Sequence, residues 1–283
     1  MPLTTRVTVD GGVALEASVW DGSGPAFLLV HGLASCRALW AAVAGHLADR
    51  GHAVTTLDLR GHGASDAPAT GYDMATVAAD VVRVIHGLGI EAPVVAGQSW
   101  GANVAIEVAW STPGAVGGVA CIDGGWIDLR SRFPEWERCA TALAPPITDG
   151  MLASALEARL RAAHPDWPDT GIAAVLACFD HRADGTVSPR LPLERHLDVL
   201  HGLWEHRPGD RYPEMRVPVL LVPAGRPGND GGPAPAVAAA EAALPRSRTE
   251  WVLGDHDLHA QRPALVANLL AGAVDDGFFP GRR

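Results

Sequence analysis

A serine set between two glycines at the end of an apolar run is the feature of this sequence best suited to covalent chemistry: Gly97-Gln98-Ser99-Trp100-Gly101. Residues 93–96 before it read as a strand, and residues 102–110 after it read as a helix. A serine on so sharp a strand-to-helix turn needs a strained backbone, and only small residues two places to either side leave room for one. The turn lifts the hydroxyl above the sheet edge, and the helix N-terminus behind it stabilises developing negative charge. A hydroxyl is a poor nucleophile at neutral pH, so a base must lie within hydrogen-bond reach. Twelve histidines are available for that role.

Positioning such a group requires a sheet with helices on its faces. Short β-rich runs alternate with longer alanine-rich helical runs, which predicts an α/β protein with a mostly parallel central sheet flanked by helices. Strands are expected over 13–20, 26–30, 53–57, 93–96, 116–122, 217–222 and 249–253. Helices are expected over 39–50, stopping at Gly51, over 74–88, with Val77, Val81, Val84, Ile85 and Leu88 on one face, and over 265–274. From residue 124 to about 216 strands vanish, and proline, tryptophan and histidine cluster among short helical pieces. That segment reads as a helical cap inserted between two strands of one sheet, with 1–123 and 217–283 forming the core.

The bulk properties narrow the function. With 283 residues, 48% hydrophobic and 19% charged, the chain is a globular protein able to bury a substantial core. A net charge of −10 argues against a nucleic-acid partner and against anionic membrane surfaces. The four cysteines (Cys36, Cys121, Cys139, Cys178) are widely spaced, as expected for thiols in a reducing compartment. The N-terminus lacks a basic segment followed by an apolar one, and no run approaches 18 apolar residues, so a cytoplasmic protein is expected.

Four motifs in order resemble the α/β-hydrolase fold superfamily, and the resemblance covers nearly the whole chain. Beside the Ser99 pentapeptide, His31-Gly32-Leu33 looks like the family's H-G oxyanion loop. Asp58-Leu59-Arg60-Gly61-His62-Gly63-Ala64-Ser65 looks like its D-x-R-G-x-G-x-S loop, and Gly254-Asp255-His256 like the turn that carries its catalytic histidine. His256 alone both directly follows a strand at the C-terminal end of the sheet and comes after the serine, in the chain order this fold requires. The resemblance implies Ser99 as nucleophile, His256 as base, and an oxyanion hole made by the backbone N–H groups of Leu33 and Trp100. The Trp100 ring is expected to shape the acyl pocket. His31 and His62 are expected to hold loop shape, His259 to pack or support, and the cap histidines His164, His181, His196, His201 and His206 to be mostly solvated.

The acid departs from the family pattern. Its usual place is a G-x-x-D turn after the strand at 217–222, but here Gly225-Arg226-Pro227-Gly228 puts glycine where the aspartate belongs. Asp230 comes two residues late, in a glycine-rich stretch unsuited to a rigid, buried carboxylate. Some members place the acid one strand earlier, where this chain has Asp123 in Cys121-Ile122-Asp123-Gly124-Gly125. Asp123 is the first choice and Asp230 the second, with Asp255, Asp257 or no carboxylate behind them.

Seven cap aromatics (Trp126, Phe133, Trp136, Trp167, Phe179, Trp204, Tyr212) together imply an apolar, partly aromatic pocket for a small hydrophobic substrate. The leading expectation is hydrolysis of a carboxylic ester, lactone or thioester through an acyl-enzyme, with no cofactor or metal. Relatives that open epoxides or cleave carbon–halogen bonds carry an aspartate at the elbow, so a serine there disfavours them. C–C bond hydrolases, acyltransferases and lyases use the same three groups, and a ligand-binding protein that kept the fold is the reading from another class. The oligomeric state is open.

Overall fold

Apolar residues alternate between the two faces of each central strand, and that alternation builds a three-layer molecule. The computed structural model describes residues 2–227 and 232–281. Its main sheet contains β1 (Leu3–Thr8), β2 (Ala14–Trp20), β3 (Gly24–Val30), β4 (His52–Leu57), β5 (Val94–Gln98) and β6 (Gly118–Ile122). A separate two-stranded unit, β7 (Phe179–His181) and β8 (Val187–Pro189), comes next, and β9 (Val219–Val222) and β10 (Ser247–Thr249) complete the main sheet. The order across it is β1-β2-β4-β3-β5-β6-β9-β10, parallel from β4 onward and antiparallel at β1–β2 and β2–β4.

Helices α1 (Ala41–Ala48), α2 (Met74–Gly87) and α3 (Trp100–Ser111) follow β3, β4 and β5 respectively. Between β6 and β9 lie α4 (Leu129–Arg132), α5 (Trp136–Ala142), α6 (Ala153–Ala163), α7 (Asp169–Leu176) and α8 (Leu193–Glu205). After β9 come α9 (Ala234–Ala243), α10 (Leu258–Gln261) and α11 (Pro263–Asp275). Leu28 and Val30 of β3 join Val77 and Val81 of α2 and Val104 of α3 in one core. Phe27 and Leu29 face the other way and join Val43 and Leu47 of α1 and Val266 and Leu270 of α11. Each such buried side chain contributes about 1.5–3 kcal/mol of transfer free energy, so a strand buried on both faces tolerates no slip in register.

The sequence places these central elements correctly and misses three strands, β1, β7 and β8. β1 was not anticipated, because only Val7 of its six residues is buried, leaving no apolar run to see. Strands do not vanish after residue 124: β7 and β8 pair antiparallel, Asp180 opposite Ser188, but at three residues each they carry no periodicity. The strand expected at 249–253 meets β10 (Ser247–Thr249) only at Thr249, and beyond it Val252 makes a single bridge to Ala224. The helix expected from residue 39 starts with a tight turn over Arg37–Trp40 before α1. Among the described residues no helix is long and apolar enough to cross a membrane, and Cys36, Cys121, Cys139 and Cys178 are free and buried.

The loop after β4 is pinned by buried charge. Arg60 Nε and its terminal nitrogen reach the two carboxylate oxygens of Asp80 on α2 at 2.6 and 2.7 Å, with both side chains almost inaccessible. Asp58 accepts the backbone N–H groups of Arg37 and Ala64 at 2.7 and 2.9 Å and pairs with the Arg37 guanidinium. Removing one member of a buried pair strands the other charge at a cost of about 3–5 kcal/mol. Asp80→Asn is therefore expected to lower the unfolding free energy measured by urea titration by that amount, and a loss well under ~1 kcal/mol would contradict the burial of the pair.

Candidate active site

Ser99 sits where β5 ends and α3 begins, at φ 52 and ψ −121, a region that costs a non-glycine residue about 1–3 kcal/mol. Its N–H donates to the Ile122 carbonyl of β6 at 3.0 Å. The close approach of backbone to backbone explains the flanking glycines. A Cβ on Gly97 would run into the Gly101 carbonyl, and one on Gly101 into the carbonyls of His31 and Val30.

One strand away, Asp123 also adopts a left-handed conformation, at φ 41. Its N–H donates to Val222 O at 2.9 Å, and its Oδ1 accepts from the Ala224 N–H at 2.9 Å, so β9 fixes the carboxylate from one side. Its Oδ2 lies 2.6 Å from His256 Nδ1. That contact sets the tautomer: Nδ1–H donates to the carboxylate, which leaves Nε2 with its lone pair. Desolvation pulls the His256 pKa down, but the Asp123 hydrogen bond and the charges of Asp257 and Asp123 outweigh it and hold it above the ordinary value.

Gln98 is a positioning residue that its own letter in the pentapeptide does not announce. Its amide donates to the His256 carbonyl at 3.1 Å, tying the turn that carries the histidine to the end of β5.

Two other histidines hold the loop after β3 in shape. His31 donates from Nδ1 to Gly32 O at 2.7 Å and accepts from Leu59 N–H at Nε2 at 3.0 Å. His62 does the same between Arg60 O at 2.9 Å and the Ala34 N–H at 3.3 Å. Burial lowers their pKa values to about 4 and about 3, so both are neutral and can accept as well as donate.

Leu33, on this loop, and Ser99 and His256 all line one cavity of about 690 Å³. Trp100 is the first residue of α3, where the backbone N–H has no partner inside the helix. Its ring, however, is fully buried, stacked on His62 with centroids 5.4 Å apart, and does not line the cavity. The ring supports the loop histidines and shapes no acyl pocket.

The other expectations divide. Asp255 is engaged by the insertion, accepting from His164 Nδ1 and Trp167 Nε1 at 2.9 Å each. Asp257 lines the cavity, and Asp230 lies outside the described residues. His259 is buried against the Trp40 ring at 4.5 Å, with its pKa lowered to about 3 by burial. Two insertion histidines expected in solvent are buried: His196, and His206, which bridges Asn103 at 3.1 Å and Glu107 at 3.2 Å on α3. Of the seven insertion aromatics only Phe179 lines the cavity; the others pack the insertion onto the core, as where Trp204 donates to Phe133 O at 2.7 Å. Among the described residues no group of three or more His, Cys, Asp or Glu could hold a metal ion.

Residues 25–167 match the family model for the alpha/beta hydrolase fold. The chain belongs to that family. It is 36% identical over 102 residues to a 2-(acetamidomethylene)succinate hydrolase of Mesorhizobium japonicum (strain LMG 29417 / CECT 9101 / MAFF 303099), spanning 36% of each chain. It is 35% identical over 118 residues to a soluble epoxide hydrolase of Corynebacterium sp. (strain C12), spanning 41% of each. The aligned part is thus well under two thirds of either relative. The crystal structure of E-2-(acetamidomethylene)succinate hydrolase superposes with a TM-score of 0.80 at 24% identity, covering 97% of this chain and 100% of the other, and shares the fold.

The buried histidines give a testable pH dependence. Folded His31, His62 and His259 stay neutral down to about 4, 3 and 3, whereas in the unfolded chain each protonates near ~6.5. Between those limits the unfolded state binds more protons, so stability is complete above about pH 6.5 and is lost as pH falls. Each group can contribute up to about 1.4 kcal/mol per pH unit. Urea midpoints measured from pH 8 down to 5 are expected to drop, and a flat profile would show that these imidazoles protonate in place.

Proposed function

We propose that this protein is a cytoplasmic serine hydrolase that cleaves the ester, lactone or thioester bond of a small molecule through an acyl-enzyme on Ser99. The observation that carries this reading is the 2.6 Å bond between His256 and Asp123, with His256 and the strained Ser99 on the wall of one cavity. In this reading Ser99 Oγ attacks the acyl carbonyl as His256 Nε2 takes its proton. Asp123 holds the ring in its tautomer and stabilises the imidazolium. The N–H groups of Leu33 and Trp100 receive the oxyanion, which is where charge develops. His256 then returns the proton to the leaving alcohol or thiol, and water, activated by the same imidazole, releases the acid.

The insertion 124–216 acts as a cap over the core formed by 1–123 and 217–283, a reading supported by residues such as Pro145, Val175 and Leu193 lining the same cavity as Ser99. The relative whose name gives an acetamidomethylene succinate as substrate supports a hydrolase acting on a small molecule. The epoxide hydrolase relative supports a shared scaffold, but ring opening through an ester intermediate needs a carboxylate where this chain has Ser99.

A fluorophosphonate probe is expected to label the wild type at Ser99 and to leave Ser99→Ala unlabelled; labelling of the alanine variant would sink the assignment. On p-nitrophenyl esters, Asp123→Asn is expected to lower kcat by about 10⁴-fold. The acid limb of kcat/KM reports the free base, and because Asp123 and Asp257 raise the His256 pKa it should lie above the ordinary histidine value. Asp123→Asn removes the bond and charge that raise it while desolvation remains, so the limb should move to lower pH. An Asp123→Asn enzyme with wild-type kcat and an unmoved limb would return the acid to Asp230 or another carboxylate.

A further inference from the structure

Buried polar atoms in folded proteins nearly always have partners, so those without one call for an explanation. Among the described residues, the side-chain atoms in this state include Ser35 Oγ, Arg190 Nε and His196 Nε2, and all three residues line the cavity that holds Ser99 and His256. They come from three separate segments: Ser35 from the loop after β3, Arg190 from the end of β8, and His196 from α8. Convergence of such atoms from distant parts of the chain on one cavity is what a polar ligand group requires.

The chemistry of the three atoms defines that group. Arg190 Nε–H can only donate and carries positive charge. The Ser35 hydroxyl can donate one hydrogen bond, whereas the single N–H of a neutral His196 imidazole meets the Leu143 carbonyl and leaves Nε2 as an acceptor. Arg190 Nε lies 3.0 Å from Asp180 Oδ1, but its N–H is not aligned on that oxygen, and Asp180 is 64% exposed and outside the cavity lining. A pair so open to solvent contributes little, and the guanidinium keeps donors for a second anion. Its charge is felt at the Cys36 thiol, beside Ser35, which brings the two segments together. The acidic lining residues have cationic or imidazole neighbours of their own: Asp149 pairs with Arg182 at 2.6 Å, and the Asp257 charge is felt at His256.

We propose that the cavity takes an acyl group bearing a free carboxylate, with Arg190 as its anchor and the Ser35 hydroxyl as a further donor. Arginine presents a planar fork to such a group, and charge-assisted bonds of this kind are roughly twice as strong as neutral ones. The substrates would be half-esters or half-thioesters of a short dicarboxylic acid, with hydrolysis adding water across the acyl bond and releasing the diacid and the alcohol or thiol. This inference rests on the serine-hydrolase reading for its reaction but not for its binding site.

Two measurements separate the site from the reaction. Titration calorimetry of Ser99→Ala with succinate, glutarate and adipate is expected to show one diacid binding, weakened by about 10–100-fold when Arg190→Met is added. Arg190→Lys should retain part of the affinity, which a merely misfolded variant would not. For catalysis, 4-nitrophenyl half-esters of these acids are compared with their methyl diesters, which are neutral and nearly the same size. The half-esters should have the higher kcat/KM, and Arg190→Met should lower the ratio of half-ester to diester by about 10–100-fold. No binding of any diacid, or an equal loss on both esters, would overturn the carboxylate subsite. Diacid binding without turnover of either ester would instead leave the subsite standing and remove the hydrolase reading.

Discussion

Backbone crowding around Ser99 governs the arrangement of everything near it. The serine is held at φ 52 because the chain passes within touching distance on three sides, leaving no space for a side chain at Gly97, Gly101 or Gly124. A Cβ at Gly124 would collide with the Ser99 backbone itself, so the residue after Asp123 is pressed against the elbow. That single packing contact brings β5, β6 and the start of the insertion into a fixed relation. The strain of two left-handed side-chain-bearing residues, Ser99 and Asp123, is borne because the surrounding sheet over-determines both.

Electrostatics then divides the histidines by environment. His31, His62 and His259 are enclosed and depressed, so they serve as neutral hydrogen-bonding or packing groups. His256 is the one whose pKa is pushed upward by a carboxylate partner at 2.6 Å. The same residue type therefore stands in opposite electrostatic settings within one site, and surroundings make the difference.

The elbow, the two loops and His256 are legible in the sequence because each depends on local chain geometry that only certain residue types permit. Asp123 is legible for a related reason: two glycines after it allow the turn that its position demands. What local pattern does not carry is long-range pairing. β1 hides because Val7 alone is buried, and the β7–β8 pair because three residues set no period. The cap aromatics mislead because composition cannot say which way a ring faces; Trp126, Trp136 and Trp204 turned to the core and left Phe179 in the cavity. The polar wall formed by Ser35, Arg190 and His196 is spread over more than half the chain, and only folding assembles it.

Asp123 directly follows Ile122, the last residue of β6, so the residue whose carboxylate meets His256 is also the post on which the insertion hangs. The insertion is held again at its far side, where His164 and Trp167 grip Asp255, the neighbour of His256. Both ends of the Asp123–His256 bond are thus attached to the same insertion. The insertion and the imidazole therefore share their anchorage, and the placement of the ring depends on the seating of a segment that lies far from it in the chain.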